Sequence, residues 1–590
     1  MSDRTAAAEA WRRALELTAP IARHPTVTFP LVIDRLAEKF GDAPALISDR
    51  HDFSYRELGG RAARYARWAL EQAIAPGDVV CLMMPNCPEY LAIWLGITRA
   101  GGVVALINTN LAGDALRHAI DIVAPRHMIV DAGLSDAFAD VQPRLARPAQ
   151  GWTHDGDGRG WPRIDRAVDG LSGAPVDHPA PALADRALYI YTSGTTGLPK
   201  AASVSHHRIM QWSHWFAGLI DAQPSDRMYN CLPLYHSIGG VVATCAPLVG
   251  GGAVVIRERF SASRFWDDVA EHGCTLFQYI GELCRYLAAA SPHPRETQHR
   301  LRLACGNGLR PDVWPAFQER FHIPRILEFY AATEGSFSLY NCEGKPGAIG
   351  RVPPFLSHRF PVALVKLDID SGQPLRGADG FCLRCAADEP GEAIGKLSGG
   401  APSLDGRFEG YTDPQASERK ILRDVFAPGD AWYRTGDLMR KDRAGFFYFV
   451  DRLGDTFRWK GENVSTTEVE EAIAACPGVT ETVVYGVAVP GADGRTGMAA
   501  IVAGEGFDLA GLAAHLAERL PDYARPLFVR LCGEIATTGT FKPRKRALAA
   551  AGYDPAATSD RLYVCDRTQE AFVPLDAELY QRIQRGEMRL

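Results

Sequence analysis

Between residues 30 and 150 the apolar positions alternate between two periods. In PLVIDRLAEKFG they recur three and four residues apart and stop at Gly41, which predicts an amphipathic helix closed by a glycine. SYRELGGRAARYARWALEQ predicts a second helix. Ser54 opens it, and Glu57 three residues on gives the spacing of a capping box. DVVCLMMP, VVALIN and HMIVD are short apolar runs of buried-strand type. EYLAIWLGITRAG lies between the first two as a helix stopped by Gly101 and Gly102. Strand and helix alternating in this way predict an α/β fold with a largely parallel sheet.

The pattern changes at about residue 147. As far as residue 185 the chain is rich in Gly, Pro, Asp and Trp (GWTHDGDGRGWPR), which predicts a long surface loop or linker. ALYIY then reads as a strand running straight into SGTTGLPK, and α/β alternation continues to about residue 340. From Gly347 to Phe449 short strand-like runs dominate (ALVKLD, GFCLRC, GFFYFV), which predicts a small β-rich subdomain. A fresh α/β pattern starts after Arg452: STTEVEEAIAACPG as helix, ETVVYGVAV as strand, LAGLAAHLAERLP as helix. The expected architecture is therefore α/β. A large N-terminal domain (1–453) holds two α/β subdomains and the β-rich one, and a smaller α/β C-terminal domain (454–590) follows.

The longest uncharged run, Leu232 to Ile256, raises the question of a membrane span. Pro247 and the triplet Gly250, Gly251 and Gly252 interrupt it, so a buried helix, a turn and a buried strand (AVVI) are expected instead. The N-terminus has no signal-peptide core, since charges break it up. Hydrophobic residues make up 46% of the 590 and charged residues 23%, which is enough apolar material for several cores. A net charge of -6 argues against a dedicated nucleic-acid binder. The 13 cysteines form no spacing framework and read as buried free thiols. Cys382 and Cys385 have C-x-x-C spacing without a second pair, and read as a strand and loop of the β-rich segment.

The most informative string is Tyr191 to Lys200, YTSGTTGLPK. A strand feeds a loop of small and hydroxyl residues that ends in a lysine. Such a loop offers backbone N–H groups, hydroxyls and a positive charge to phosphate oxygens. It is not a Walker A loop, because Leu198 and Pro199 separate Gly197 from Lys200 and Ala201 follows.

YTSGTTGLPK resembles the phosphate-loop signature of the adenylate-forming superfamily of acyl-CoA synthetases, firefly luciferase and peptide-synthetase adenylation domains. Four more strings resemble that superfamily's motifs, in the expected order: FYAATEG (329–335), YRTGD (433–437), DRLGDTFRWKGENVSTTEVE (451–470) and TTGTFK (537–542). YIGELCRYL, GNGLRPDVW and TGTFKPRK further resemble fatty-acid transport proteins and very-long-chain acyl-CoA synthetases. The resemblance implies a two-step reaction. A carboxylate attacks the α-phosphorus of ATP to give acyl-adenylate and pyrophosphate, and the thiol of coenzyme A then takes the acyl group. Mg²⁺ is implied as well.

Carried over motif by motif, Thr192, Ser193, Gly194, Thr195, Gly197 and Lys200 would hold phosphates, with Thr196 counted among the catalytic residues. Glu334 would ligate Mg²⁺, Thr333 would bond the α-phosphate and Tyr330 would lie against adenine. Gly306, Asn307 and Gly308 would let the backbone approach the base. Ala331 stands where most relatives have Gly. Asp437 would bind the ribose hydroxyls, with Arg452 beside ribose or phosphate. Gly454 would be the hinge of a mobile C-terminal domain. Lys542 would be the adenylation lysine, bridging the carboxylate and the α-phosphate. Lys460 and Gly461 would border the pantetheine channel, and His236 would sit near the acyl site. Arg544, Lys545 and Arg546 read either as a solvated basic face or as contacts for coenzyme A phosphates. His206, His207 and His214 read as structural.

The implied activity is an AMP-forming long- or very-long-chain fatty acid–CoA ligase. Two alternatives stay open: a ligase for a bulky acid (bile-acid-like, carnitine-like or branched), and a lipid-uptake or acyl-binding protein with weak or lost catalysis. Fatty acid, ATP and coenzyme A are the expected partners, with no nucleic acid. A cytoplasmic location is expected. Peripheral contact with the inner face of the membrane, and the choice of monomer or homodimer, stay open.

Overall fold

The computed structural model describes residues 3–193, 198–335, 337–368, 371–397, 407–459, 462–490, 492, 494–538, 543–566 and 571–588. The chain divides into two compact units. The first holds residues 1–360, 396–422 and 431–433; the second holds 361–395, 423–430 and 434–590.

The first unit is built on two sheets. One runs, edge to edge, Gln150–His154, His127–Asp131, Val79–Met83, Val103–Leu106, Arg186–Ser193 and Pro199–Ser205. All neighbours are parallel except the last pair. Its buried strands are continuous apolar runs, as expected where helices cover both faces of a parallel sheet. The second sheet places Leu303–Asn307 between Leu276–Ile280 and Ile326–Ala331, all parallel. It continues through Arg227–Asn230 and Ala253–Ile256 to Pro44–Ile47.

The patterned helices form where the sequence places them. The helix Phe29–Phe40 is closed by Gly41. The helix Tyr55–Glu71 is capped by Ser54, whose side chain accepts from Glu57 N–H while the Glu57 carboxylate accepts from Ser54 N–H. The uncharged run becomes a π-helical turn Ile238–Val242, a short helix Ala243–Val249 containing Pro247, and the strand Ala253–Ile256. Among the described residues no helix is long and apolar enough to cross a membrane.

The segment 147–185 departs from the expected loop. Gln150–His154 joins the first sheet beside His127–Asp131, and Ile164–Asp169 is a helix. Trp152, Ile164 and Val168 are buried in the main core. Trp152 packs edge-on to Trp68 with ring centroids 5.1 Å apart. Three buried apolar anchors outweigh the Gly and Pro content around them. The N-terminal helix Asp3–Thr18 buries Trp11 between Trp215 and Tyr340, with centroids 5.7 and 5.6 Å away.

The second unit contains most of the antiparallel pair Val362–Val365 with Gly391–Lys396, most of the hairpin Ala431–Lys441 with Phe446–Arg452 (Ala431–Tyr433 belong to the first unit), and a mixed five-stranded sheet. That sheet runs Val479–Val487, Thr496–Ala503, Phe528–Cys532, Arg561–Asp566 and Ala571–Pro574, over a core joined by the helices Thr466–Ala474 and Leu509–Arg519. All thirteen cysteines are free, with Cys382 buried and Cys385 half-buried.

Candidate active site

In the first unit the functional strings converge at the ends of strands. Thr192 and Ser193 close the strand Arg186–Ser193, and Lys200 lies on the returning strand Pro199–Ser205. Gly194, Thr195, Thr196 and Gly197 lie outside the described residues. The Lys200 ammonium is 5.7 Å from the centre of the Tyr411 ring.

Tyr411 is a residue that the motifs did not single out. Its hydroxyl donates to Glu334 Oε1 at 2.6 Å, and the Tyr433 hydroxyl donates to the same oxygen at 3.1 Å. Burial pushes both phenols up, so both remain protonated donors. Glu334 is itself buried. Gly335 beside it admits no side chain, since a Cβ there would sit 2.5 Å from the Tyr433 ring.

The same loop is held from a second direction. Thr333 Oγ1 is 3.0 Å from Ser237 Oγ, next to His236. Arg208 donates to the Thr333 carbonyl at 2.7 Å and to the Arg407 carbonyl at 3.0 Å. The half-buried Tyr330 meets Phe337 edge-on at 5.5 Å. Ala331 closes its strand in extended pairing with Ser338, a geometry that accepts a Cβ. His236 packs against Tyr235 at 4.8 Å.

Gly306 and Asn307 end the strand Leu303–Asn307, and Gly308 follows with φ +79°. The backbone here is held from below by Glu328. One of its oxygens accepts from Gly308 N–H at 2.5 Å and Leu309 N–H at 3.2 Å, and the other accepts from the Tyr279 hydroxyl. Burial pushes the Glu328 carboxyl up to about 8, so it stays protonated at neutral pH. Asn307 Oδ1 is buried with no hydrogen-bond partner. Such an atom at the end of a strand suits a hydrogen-bond donor carried in by a ligand. His206 is buried with neither ring nitrogen partnered, and burial pushes it down to about 4.

In the second unit Asp437 and Arg452 are cross-strand neighbours in the hairpin, with Arg452 Nε 3.3 Å from Asp437 Oδ1. Asp437 is buried while the Arg452 side chain is half exposed. Gly454 follows with φ +95°, and nothing stands within 4 Å of where a Cβ would be. A side chain there would have room but would strain the backbone. Lys545 is not on a solvated basic face. Its ammonium lies 2.9 Å from Glu470 Oε1 and 3.8 Å from Asp455 Oδ2, and donates to Thr466 Oγ1 at 3.0 Å. Lys460, Gly461 and Lys542 lie outside the described residues.

Among the described residues no cluster of three or more His, Cys, Asp or Glu could cage a metal ion. Glu334 fits Mg²⁺ in a different way. It is one hard carboxylate, oriented by two tyrosines, of the kind that completes an Mg²⁺ shell otherwise made of phosphate oxygens and water.

Long-chain fatty acid transport protein 1 of Mus musculus is 40% identical over 572 residues, covering 95% of this chain and 88% of the relative. The medium/long-chain-fatty-acid–CoA ligase FadD6 of Mycobacterium tuberculosis is 40% identical over 560 residues, covering 94% and 89%. The crystal structure of the anthranilate CoA ligase AuaEII in complex with anthranoyl-AMP shares the fold, with a TM-score of 0.77 at 19% identity over 90% of this chain and 99% of that one. The AMP-binding enzyme family model matches residues 33–381, and the model of its C-terminal domain matches residues 468–542. The chain belongs to the AMP-binding enzyme family.

Proposed function

We propose that this protein is an ATP-dependent, AMP-forming ligase that converts long- or very-long-chain fatty acids to acyl-CoA. The observation that carries this reading is the 40% identity, over nearly the whole chain, to a fatty-acid–CoA ligase and a fatty acid transport protein. It is joined by a buried glutamate held by two tyrosines at the motif position for a metal.

In the first half-reaction the acid carboxylate attacks the α-phosphorus of ATP and pyrophosphate leaves. The phosphoryl step calls for charge stabilisation rather than a protein nucleophile. Lys200, Thr192 and Thr196 would stabilise the phosphates, and Lys542 would offset the charge that builds between carboxylate and phosphate. Glu334 would hold Mg²⁺, which supplies charge neutralisation at the phosphates; Tyr411 and Tyr433 fix the carboxylate that does so. Asn307 and the Gly306–Gly308 backbone receive the base, and Asp437 accepts from the ribose hydroxyls.

In the second half-reaction the coenzyme A thiol attacks the acyl carbon and AMP leaves. The segment from 454 onward acts as the mobile domain, turning about Gly454, whose backbone already occupies the left-handed region. A peripheral, cytoplasmic enzyme is the location that fits this reading. The test is thioester and pyrophosphate formation by the purified protein with ATP, Mg²⁺, coenzyme A and fatty acids of graded length. Chain-length-dependent thioester supports the reading, and its absence with every acid removes it.

A further inference from the structure

Arg208 is buried where three segments of the first unit meet. It lies in the first turn of the helix His206–Ile220, and its backbone N–H donates to the hydroxyl of the capping Ser205 at 3.2 Å. A buried guanidinium must meet fixed acceptors. Here they are the Thr333 carbonyl at 2.7 Å, the Arg407 carbonyl at 3.0 Å and the Glu409 carboxylate, 3.5 Å from Nε.

Each acceptor leads to Glu334. The Thr333 carbonyl belongs to the planar peptide unit completed by the Glu334 nitrogen, so bonding it fixes the plane from which Glu334 projects. Arg407 and Glu409 lie just before Tyr411, whose hydroxyl donates to Glu334 Oε1. Glu409 is fixed in turn. Its Oε2 accepts from Ser205 N–H at 2.7 Å, and its Oε1 accepts from the Ser205 hydroxyl at 2.6 Å. The segment 407–412 then runs antiparallel to the strand that carries Lys200. Ser203 N–H donates to the Gly410 carbonyl at 2.9 Å, Thr412 N–H donates to the Ala201 carbonyl at 3.1 Å, and Ala202 bridges Tyr411.

Two layers therefore hold Glu334. Tyr411 and Tyr433 bond its carboxylate directly. Arg208 holds the supports behind it, namely the peptide plane at its backbone and the segment that presents Tyr411. The Tyr433 bond does not pass through Arg208, so loss of the guanidinium loosens Glu334 without releasing it. Lysine is no substitute here. An ammonium donates from a single point, whereas the guanidinium fork reaches two carbonyls and a carboxylate on two separate segments at once.

We infer that Arg208, backed by Glu409, is a positioning residue for the Mg²⁺ site: it sets the backbone and the tyrosine support of Glu334 before the nucleotide arrives. The inference deepens the ligase reading and rests on Glu334 as the Mg²⁺ ligand. Groups that orient a metal ligand from behind are worth about ten- to a hundredfold in metal affinity or activity.

The test compares wild type, Arg208→Lys and Glu409→Gln with Arg257→Lys, which alters a similarly buried arginine whose ion-pair partners are Asp49 and Asp268. Pyrophosphate release is titrated with free Mg²⁺ at saturating ATP and acid. In parallel the melting temperature at fixed ATP is followed from EDTA to excess Mg²⁺, which reads binding without turnover. In Arg208→Lys the Mg²⁺ midpoints of rate and of thermal gain both rise about tenfold. KM for the acid stays put, and added Mg²⁺ restores most of the rate. Glu409→Gln moves both midpoints the same way by less, and Arg257→Lys moves neither. Unchanged midpoints in the two site variants overturn the proposal. An equal shift in Arg257→Lys, a loss of rate that Mg²⁺ does not restore, or a wild type whose melting temperature gains nothing from Mg²⁺ overturns it as well. Should Arg208→Lys fail to fold, the midpoints of Glu409→Gln decide. A wild type that turns over no acid yet shows the Mg²⁺-dependent gain overturns the ligase reading, and the thermal midpoints still decide the proposal.

Discussion

Replacing Glu328 by Gln should remove a pH dependence that the wild type carries in its folding. Burial raises this carboxyl from 4.5 to about 8, against the opposing effect of its three hydrogen-bond donors. At about 1.4 kcal/mol per pH unit the full effect is roughly 5 kcal/mol. Its sign follows from proton counting. The native state keeps a proton that the unfolded chain releases above the ordinary carboxyl value. The stabilisation is therefore complete below that value and is lost as pH rises through about 8.

Gln is neutral throughout and keeps an oxygen for the Gly308 and Leu309 N–H groups. Its amide can donate to the Tyr279 oxygen. From pH 6 to 8 the variant should gain about 2–3 kcal/mol on wild type. The assay is urea unfolding at a series of pH values, read as the difference between the two proteins so that other titrating groups cancel. Parallel curves would refute the reasoning, because they would mean that Glu328 titrates alike in the folded and unfolded chains.

Tyr411→Phe combined with Tyr433→Phe leaves the Glu334 carboxylate unoriented. It should lower kcat about tenfold or more and raise the Mg²⁺ concentration needed for half-maximal rate, measured by pyrophosphate release. Lys542→Ala should slow adenylation about a hundredfold or more, while thioester formation from preformed acyl-adenylate continues, measured by supplying synthetic adenylate and coenzyme A. Lys545→Met leaves Glu470 without its cation and should destabilise the second unit by about 3 kcal/mol or more, seen as an earlier thermal transition; an unchanged transition would contradict the buried pairing.

The sequence carried the fold well wherever its local signals agreed with burial. The Ser54–Glu57 box, the Gly41 stop and the apolar strands of the first sheet all formed as patterned. It failed at 147–185, where Trp152, Ile164 and Val168 are too widely spaced among Gly and Pro to show a period, although tertiary packing buries them. The motifs brought Thr333, Glu334, Gly306 and Asn307 to strand ends of one unit. They could not reveal Tyr411, which meets Glu334 across 77 residues of chain. Lys545 looked like part of a basic run, since its carboxylate partners Glu470 and Asp455 come from other segments.

The most direct test remains the reaction itself. Purified protein is incubated with ATP, Mg²⁺ and a long-chain acid, with and without coenzyme A, and acyl-AMP, acyl-CoA and pyrophosphate are followed by mass spectrometry. The expected result is acyl-adenylate without coenzyme A and acyl-CoA with it, one pyrophosphate per thioester. Retention of the acid with no pyrophosphate from any acid would contradict the ligase reading and leave a lipid-binding protein in its place.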